Sequence, residues 1–147
     1  MFDLVFRNQT TRKTFGQAFF TLLLKAALGV LKPKGVVEVS VSLIGPARSR
    51  ALNKKWRKKD APTDVLSFPL GDTHIPQYNE GITGDIVLCL AVCRSKAREA
   101  GMSERAYVAW AFVHGVLHLA GYDHEKSPAA EKKMFAVEKK ILKKLSL

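Results

Sequence analysis

Apolar and polar positions recur along the first part of the chain with two different periods, and each period predicts one type of secondary structure. Residues 3–8 predict a short first strand. Between residues 13 and 31, apolar side chains recur every three or four positions, which predicts a helix. The apolar face predicted for this helix consists of Phe15, Phe19, Leu22, Leu23, Ala26 and Val30. Residues 37–43 alternate valine or leucine with polar residues, which predicts a half-buried strand.

The middle of the chain continues this alternation of helix and strand. A helix is predicted over residues 47–56, with Pro46 at its first position, where the missing proline N–H is not needed. Strands are predicted over residues 65–68 and 85–90, and the latter leads into a helix over residues 91–100.

A long loop is predicted between the third and fourth strands. Residues 70–84 contain many turn-forming residues and favour a lid or binding loop over regular structure. His74 lies in this loop, and we interpret it as a solvated side chain rather than a ligand.

The last third of the chain predicts two capped helices. Ser103 is the expected N-cap of an almost wholly apolar helix, and Ser127 with Pro128 begins the last helix. The inward stripe predicted for the last helix consists of Met134, Val137, Ile141 and Leu145, and its Lys and Glu residues form a solvated face. The chain, residues 1–147, is therefore predicted to be one α+β domain. It has a small mixed sheet of about four strands packed with about five helices.

Composition adds a strong positive charge to this picture. The 147 residues include 24 Lys and Arg against 13 Asp and Glu, a formal net charge of +11. Such a charge favours a polyanionic partner, and both nucleic acid and an anionic membrane surface qualify. The sequence shows no secretion signal and no apolar run of spanning length, so we expect a soluble cytoplasmic protein.

Three histidines near the end of the apolar helix favour a zinc site. His114 and His118 stand four residues apart, so a helix projects both rings from one face. Gly121 is suited to end that helix, and the chain can then fold back to deliver His124. Three neutral imidazoles leave the fourth coordination position of zinc free, as in catalytic sites. We therefore predict one Zn²⁺ per chain, on the buried helix and the following turn.

The same segment matches the zinc-peptidase signature H-E-x-x-H-x-x-G-x-x-H at each ligand position and at the glycine. It differs at Gly115, where the signature has the glutamate that acts as general base. The ligands are thus present without the peptidase base, and a zinc peptidase-like hydrolase stays open as an alternative.

A basic cluster surrounds Trp56 at the end of the second predicted helix. Its members are Lys54, Lys55, Arg57, Lys58 and Lys59. Such a run is usually a solvated helix end, but in a strongly basic protein it also predicts contacts with the phosphate backbone of a nucleic acid. Arg57 is the member we single out, because a guanidinium can bind a phosphate with two hydrogen bonds.

Three aspartates are further candidates, either to orient a metal ligand through a hydrogen bond or to contact the substrate. Asp123 either orients a ligand histidine or bonds its own backbone in a turn. Asp64 and Asp85 each lie near a strand start, where a local turn role competes with a role in a cleft.

Most of the chain resembles the YbeY family of bacterial metallo-endoribonucleases. The similar segments are residues 52–53 with 56–57, residues 62–69, residues 84–86, and residues 114–115 with 117–119 and 121–124. The resemblance implies that the three histidines bind zinc and that Arg57 is important for activity. It also implies single-strand-directed cleavage of RNA in maturation of the 3′ end of small-subunit rRNA and in ribosome quality control. RNA, rRNA and the ribosome are then the expected partners.

The residues and the resemblance agree on a hydrolytic mechanism. Zinc activates water for attack on phosphorus, Arg57 neutralises charge on the phosphoryl oxygens, and the neighbouring lysines hold the RNA backbone. A non-catalytic RNA- or ribosome-binding protein with structural zinc is the second alternative. It would need a fourth ligand, commonly a cysteine, whereas we interpret Cys89 and Cys93 as buried thiols outside the site.

Overall fold

The computed structural model describes residues 1–70 and 81–147, so His74 and most of its predicted loop lie outside the described residues. In chain order the elements are β1 (Asp3–Asn8), α1 (Gln17–Leu31), β2 (Val37–Ile44), α2 (Pro46–Arg57), β3 (Val65–Pro69), β4 (Ile82–Cys89), α3 (Leu90–Ala100), α4 (Glu104–Leu119) and α5 (Pro128–Lys143). The predicted α+β class is confirmed, because these residues form a four-stranded sheet and five helices.

The sheet is mixed, with strand order β1-β2-β4-β3. β1 and β4 run parallel to β2, whereas β3 pairs antiparallel with β4 at one edge. Parallel neighbours need a crossover connection, and α1 provides it between β1 and β2. In chain order, the antiparallel edge strand β3 is the next element after α2. The basic residues at the end of α2 therefore come shortly before this edge strand in the sequence.

α4 is the central helix of the fold. It contacts α1, α3 and α5 as well as strands β3 and β4. A helix surrounded in this way is apolar over most of its surface, and Val108, Phe112 and Val116 are fully buried. The predicted N-cap is confirmed, since the Ser103 hydroxyl accepts the N–H of Ala106 at 3.1 Å. No helix in the described part of the chain, α4 included, is long and apolar enough to cross a membrane.

The structure differs from the sequence prediction at two element starts. α1 begins at Gln17 rather than at residue 13, because Gly16 is still extended at the N-cap. β4 begins at Ile82 rather than at residue 85, because Thr83 and Gly84 already pair with β2. Asp85 therefore lies inside the strand and not at its start.

The buried face of α1 is also rotated from the predicted one. Leu22 is 51% exposed, whereas Phe20 and Leu24 are fully buried on either side of Leu23. Both faces have helical spacing around Leu23, so the repeat of apolar residues could not distinguish them.

Candidate metal centre

The chain reverses direction after α4, and this turn positions the last histidine of the motif. α4 ends at Leu119, and the N–H of Tyr122 donates to the carbonyl of Leu117 at 3.0 Å. Gly121 has a φ of +101°, a conformation that residues with a side chain rarely adopt. Gly121 thus occupies the helix-ending position that the sequence predicts, and the chain continues to His124.

The three histidines of the motif form one cluster. His114 and His118 lie one turn apart on α4, and their Nε2 atoms are 3.1 Å apart. The ring centroid of His124 lies 5.1 Å from that of His114 and 5.3 Å from that of His118. One candidate ligand atom from each residue lies within 4.8 Å of the other two. The predicted ligand set is therefore brought together in space.

The chemistry of this cluster fits a divalent metal such as zinc. Nitrogen atoms on one tetrahedral zinc lie roughly 3.3 Å apart, because each Zn–N distance is about 2.0–2.1 Å. The Nε2 atoms of His114 and His118 are already close to that separation, and Nδ1 of His124 is buried without a hydrogen-bond partner. Burial, followed by the neighbouring His114 and His124, lowers the pKa of His118 to about 4. His118 is therefore neutral at pH 7 and has a lone pair to offer.

A buried carboxylate, which the sequence analysis assigned to a solvated helix face, contacts the cluster. Glu138 on α5 is only 3% exposed, so that assignment is wrong for this residue. One of its oxygens lies 2.5 Å from Nδ1 of His114, and the other accepts the indole N–H of Trp110 at 3.0 Å. The sequence did carry a signal, because Glu138 falls on the inward stripe between Met134 and Ile141.

The histidine cluster opens into a cleft of about 1210 Å³. Of the sequence-predicted site residues, those that line it are Arg57, Lys59, Asp64, His114, His118, Asp123 and His124. The lining also includes residues that the sequence analysis did not assign to a site, among them Lys96, Tyr107, Trp110, Glu125 and Lys126. The cleft therefore combines candidate metal ligands with positive side chains from α2, α3 and the turn after α4.

Arg57 lies at the end of α2 and faces this cleft. Its guanidinium is 3.5 Å from Oε1 of Glu125. The same oxygen lies 3.9 Å from Nε2 of His124, so a carboxylate stands between Arg57 and the histidine cluster. The Arg57 and Glu125 side chains are 41% and 65% exposed, which leaves both free to exchange partners with solvent or an anion.

The remaining lysines of the basic cluster are exposed around Trp56. Lys54, Lys55 and Lys58 are absent from the described cleft lining, in contrast to Lys59. The Nζ of Lys55 lies 5.1 Å from the centroid of the Trp56 ring. Trp56 itself is 59% exposed within the cleft. The basic cluster thus has one lysine in the cleft and three around its rim.

Asp64 forms part of a buried polar network in the cleft wall. Its carboxylate accepts the hydroxyl of Tyr107 at 2.6 Å and the N–H of Val65 at 2.8 Å. Lys96 on α3 approaches the same carboxylate at 3.6 Å. Burial, assisted by the hydrogen bond to Asp64, raises the pKa of the Tyr107 hydroxyl well above its usual range. Asp64 therefore has both a local role, at the start of β3, and a position in the cleft.

The other two aspartates have local partners. Asp123 lines the cleft, but its carboxylate accepts the N–H of Glu125 at 3.0 Å, which is the turn role weighed from the sequence. Asp85 accepts a hydrogen bond from Ser40 on the neighbouring strand β2 and is not part of the described cleft lining. Asp85 thus lies inside β4, outside the described cleft lining, and its carboxylate pairs with the neighbouring strand.

Gly115 packs against the sheet. A Cβ atom at this position would lie 3.1–3.3 Å from side-chain atoms of Ile86 on β4. A side chain there would require Ile86 to shift by a few tenths of an ångström. The helix backbone therefore packs closely on the sheet at the position where the peptidase signature has its glutamate.

The chain is similar to known proteins over nearly its whole length. A family model described as Endoribonuclease YbeY matches residues 5–146. A protein named Endoribonuclease YbeY from Sulfurihydrogenibium sp. is 44% identical over 110 residues, which cover 75% of this chain and 71% of that protein. The protein of the same name from Aquifex aeolicus is 46% identical with the same coverage. The solution structure of TM1509 from Thermotoga maritima matches with a TM-score of 0.63 and 30% identity, over 95% of this chain and 86% of that chain.

Proposed function

The chain belongs to the YbeY endoribonuclease family, and on this basis we propose that it is a zinc-dependent hydrolase that cleaves phosphodiester bonds in single-stranded RNA. Residues 1–147 form one nuclease domain with one zinc ion, held by His114, His118 and His124. The observation that carries this proposal is the convergence of three imidazoles in a cleft that also contains Arg57 and three lysines.

The protein supplies a preformed ligand set and a cationic surface, and the metal supplies the activation of water. Zinc, when bound, acts as a Lewis acid and lowers the pKa of water towards neutrality. The neutral state of His118 and the carboxylate behind His114 keep two of the imidazoles ready to bind. No side-chain base at position 115 is then required for hydrolysis.

Arg57 is the residue that we assign to the scissile phosphate. In the free protein its guanidinium faces the Glu125 carboxylate, beside the histidine cluster. A phosphate has the same charge sign and a similar arrangement of oxygens, so it is suited to take the place of that carboxylate. Arg57 would then neutralise the charge that grows on the phosphoryl oxygens during attack.

The other cleft residues suit an RNA strand with unpaired bases. Lys59, Lys96 and Lys126 line the cleft and offer contacts to neighbouring phosphates. Lys54, Lys55 and Lys58 extend the positive surface along the rim. The exposed face of Trp56, whose ring meets Phe68 edge-on at 5.9 Å, offers a stacking surface for a base. A base can stack there only if it is unpaired, which supports a preference for single strands.

Family membership and charge guide the wider proposal. We extend it to rRNA as the substrate, with the 3′ end of the small-subunit rRNA as the region processed, and to the ribosome as a partner in the cytoplasm. The formal charge of +11 supports a large polyanionic partner.

The two alternatives find less support in the site. A zinc peptidase needs a base, and at Gly115 the backbone is packed against Ile86. A structural zinc site is closed by four protein ligands, whereas the described cluster has three and faces a cleft. The peptidase alternative also does not explain why Arg57 and three lysines share that cleft.

One comparison of substrates tests the proposal. We expect the zinc-loaded protein to cleave a labelled single-stranded RNA faster than the duplex of the same sequence, and to leave casein intact. A chelator should stop cleavage, and added zinc should restore it. Cleavage of casein with no effect on RNA would contradict the proposal in favour of the peptidase alternative.

A further inference from the structure

Both carboxylate oxygens of Glu138 make hydrogen bonds to residues of the candidate metal centre. Its Oε2 atom lies 2.5 Å from Nδ1 of His114, and its Oε1 atom accepts the indole N–H of Trp110 at 3.0 Å. The indole in turn stacks on the imidazole of His114, with ring centroids 4.9 Å apart and an interplanar angle of 28°. One carboxylate therefore fixes both the edge of the imidazole and the ring that covers its face.

An ionised carboxylate can only accept hydrogen bonds, so its contact with His114 requires a proton on Nδ1. If Nδ1 carries the proton that Glu138 accepts, Nε2 of the neutral ring has a free lone pair. Nε2 is also the atom that faces Nε2 of His118 at 3.1 Å. The contact with Glu138 thus selects the tautomer in which His114 can bind a metal.

From this geometry we infer that Glu138 is a positioning residue that sets the affinity of the site for zinc, by fixing the tautomer and ring orientation of His114. The inference rests on the proposed zinc centre. Partners of this kind typically change metal affinity by 10–100-fold when they are removed.

A purely structural role for Glu138 explains less. The residue lies between the fully buried Met134 and Ile141 on the inner face of α5. An aliphatic side chain would serve a packing contact between α4 and α5 without the desolvation of a charge. The presence of a carboxylate there is explained if its oxygens are needed as acceptors for Trp110 and His114.

The first test uses a substitution that keeps the shape of the side chain. Glu138→Gln has one carbonyl acceptor and one NH₂ donor in place of two acceptors. If the carbonyl accepts from Trp110, the NH₂ group faces His114 and favours the tautomer with the proton on Nε2, which cannot bind zinc. We therefore expect Glu138→Gln to weaken zinc binding about 10–100-fold, measured by competition with a chromophoric chelator.

A second variant separates this effect from a loss of stability. Trp110→Phe keeps a stacked ring but removes the indole N–H, so the single carbonyl of the substituted amide side chain is free to accept from His114. We expect the combined Trp110→Phe and Glu138→Gln variant to regain most of the lost affinity, while Trp110→Phe alone changes it only a few-fold. Glu131→Gln serves as the matched control, because it removes the same negative charge from α5 at an exposed position. Melting temperatures of the metal-free proteins identify the temperature range in which all variants are folded and their zinc affinities can be compared.

The metal-free wild-type chain provides a test that does not depend on any variant. Long-range ¹H–¹⁵N correlation spectra should show the proton of His114 on Nδ1. A proton on Nε2, or a folded Glu138→Gln protein that binds zinc as tightly as the wild type, would overturn this inference alone. A wild-type chain that binds no zinc would overturn it together with the proposed function.

Discussion

The guanidinium of Arg57 lies 3.5 Å from the carboxylate of Glu125, which links the end of α2 to the turn that carries the last candidate metal ligand. Both side chains are partly exposed, so this ion pair contributes little to stability, about 0–1 kcal/mol. Its importance is positional, because it places the Arg57 guanidinium beside His124 before any RNA is bound.

Arg57→Ala should reduce kcat while zinc content and melting temperature stay at wild-type values. The lost transition-state stabilisation should approach the contribution of one hydrogen-bond donor, roughly 2.7–4 kcal/mol. This is expected because the guanidinium contacts charge that develops only during attack. Arg57→Lys keeps the charge but not the two-pronged geometry, so it should recover only part of the rate. Arg48→Ala, an exposed change on the same helix, is the control. Wild-type turnover by both Arg57 variants at saturating RNA would remove Arg57 from the catalytic assignment.

RNA binding should weaken steeply with salt, and the cleft lysines should account for part of the slope. Each phosphate contact to single-stranded RNA contributes about −0.7 to the slope of log K against log salt. Changing Lys59 and Lys126 to Ala should therefore flatten the slope, as measured by fluorescence anisotropy across a salt series. Changing the exposed Lys132 and Lys140, which are not part of the described cleft lining, is the matched control. Equal slopes for the two double variants would mean that overall charge, and not the cleft, binds the RNA.

Trp56→Leu should raise KM for single-stranded RNA with a smaller effect on kcat. Stacking of one base on an aromatic ring is worth about 1–3 kcal/mol, and leucine keeps an apolar side chain without the aromatic face. Trp56→Phe should retain much of the affinity. Phe135→Leu removes another exposed aromatic ring, one that lies outside the described cleft lining, and should leave KM unchanged. The stacking role would be wrong if Trp56→Leu cleaved RNA with the KM of the wild type.

The two cysteines should be unreactive and unnecessary for metal binding. Both are buried, and burial together with the nearby Asp64 raises the pKa of the Cys93 thiol well above its usual range. The reactive thiolate therefore stays scarce even at alkaline pH, so a disulfide reagent at about pH 8 should modify Cys93 only as fast as the protein unfolds. The Cys89→Ala and Cys93→Ala variants should each retain stoichiometric zinc. Loss of zinc from either would instead support a structural site with a thiolate ligand.

Local sequence patterns were sufficient to predict the element order and the cluster of three histidines. Alternation identified β2, helical spacing identified α1 and α5, and Ser103 marked the start of α4. The histidine cluster could be predicted because His114 and His118 share one helix and Gly121 allows the turn that leads to His124. All these signals act over a few residues of chain, where backbone geometry alone determines which side chains meet.

Contacts between distant elements could not be predicted in this way. The pairing of Glu138 with His114 depends on how α5 packs on α4, and the place of Lys96 in the cleft depends on α3. The start of β4 was predicted three residues late, so Asp85 was expected at a strand start although it lies inside the strand and pairs with Ser40 on β2. A single sequence contains charge and periodicity but not the packing that brings two helices together.

Metal content measured together with RNA cleavage tests the central claim most directly. We predict one zinc per purified chain by elemental analysis, and a cleavage rate that falls to background after chelation and rises in proportion to the zinc added back. His118→Ala should lose both zinc and cleavage while remaining folded, because two imidazoles make a weak site and the apolar faces of α4 are unchanged. His74→Ala, at the histidine that the sequence analysis interprets as a solvated side chain, should keep its zinc. A zinc-free wild-type protein that cleaves RNA at the full rate, or a His118→Ala protein with stoichiometric zinc and wild-type cleavage, would contradict the account.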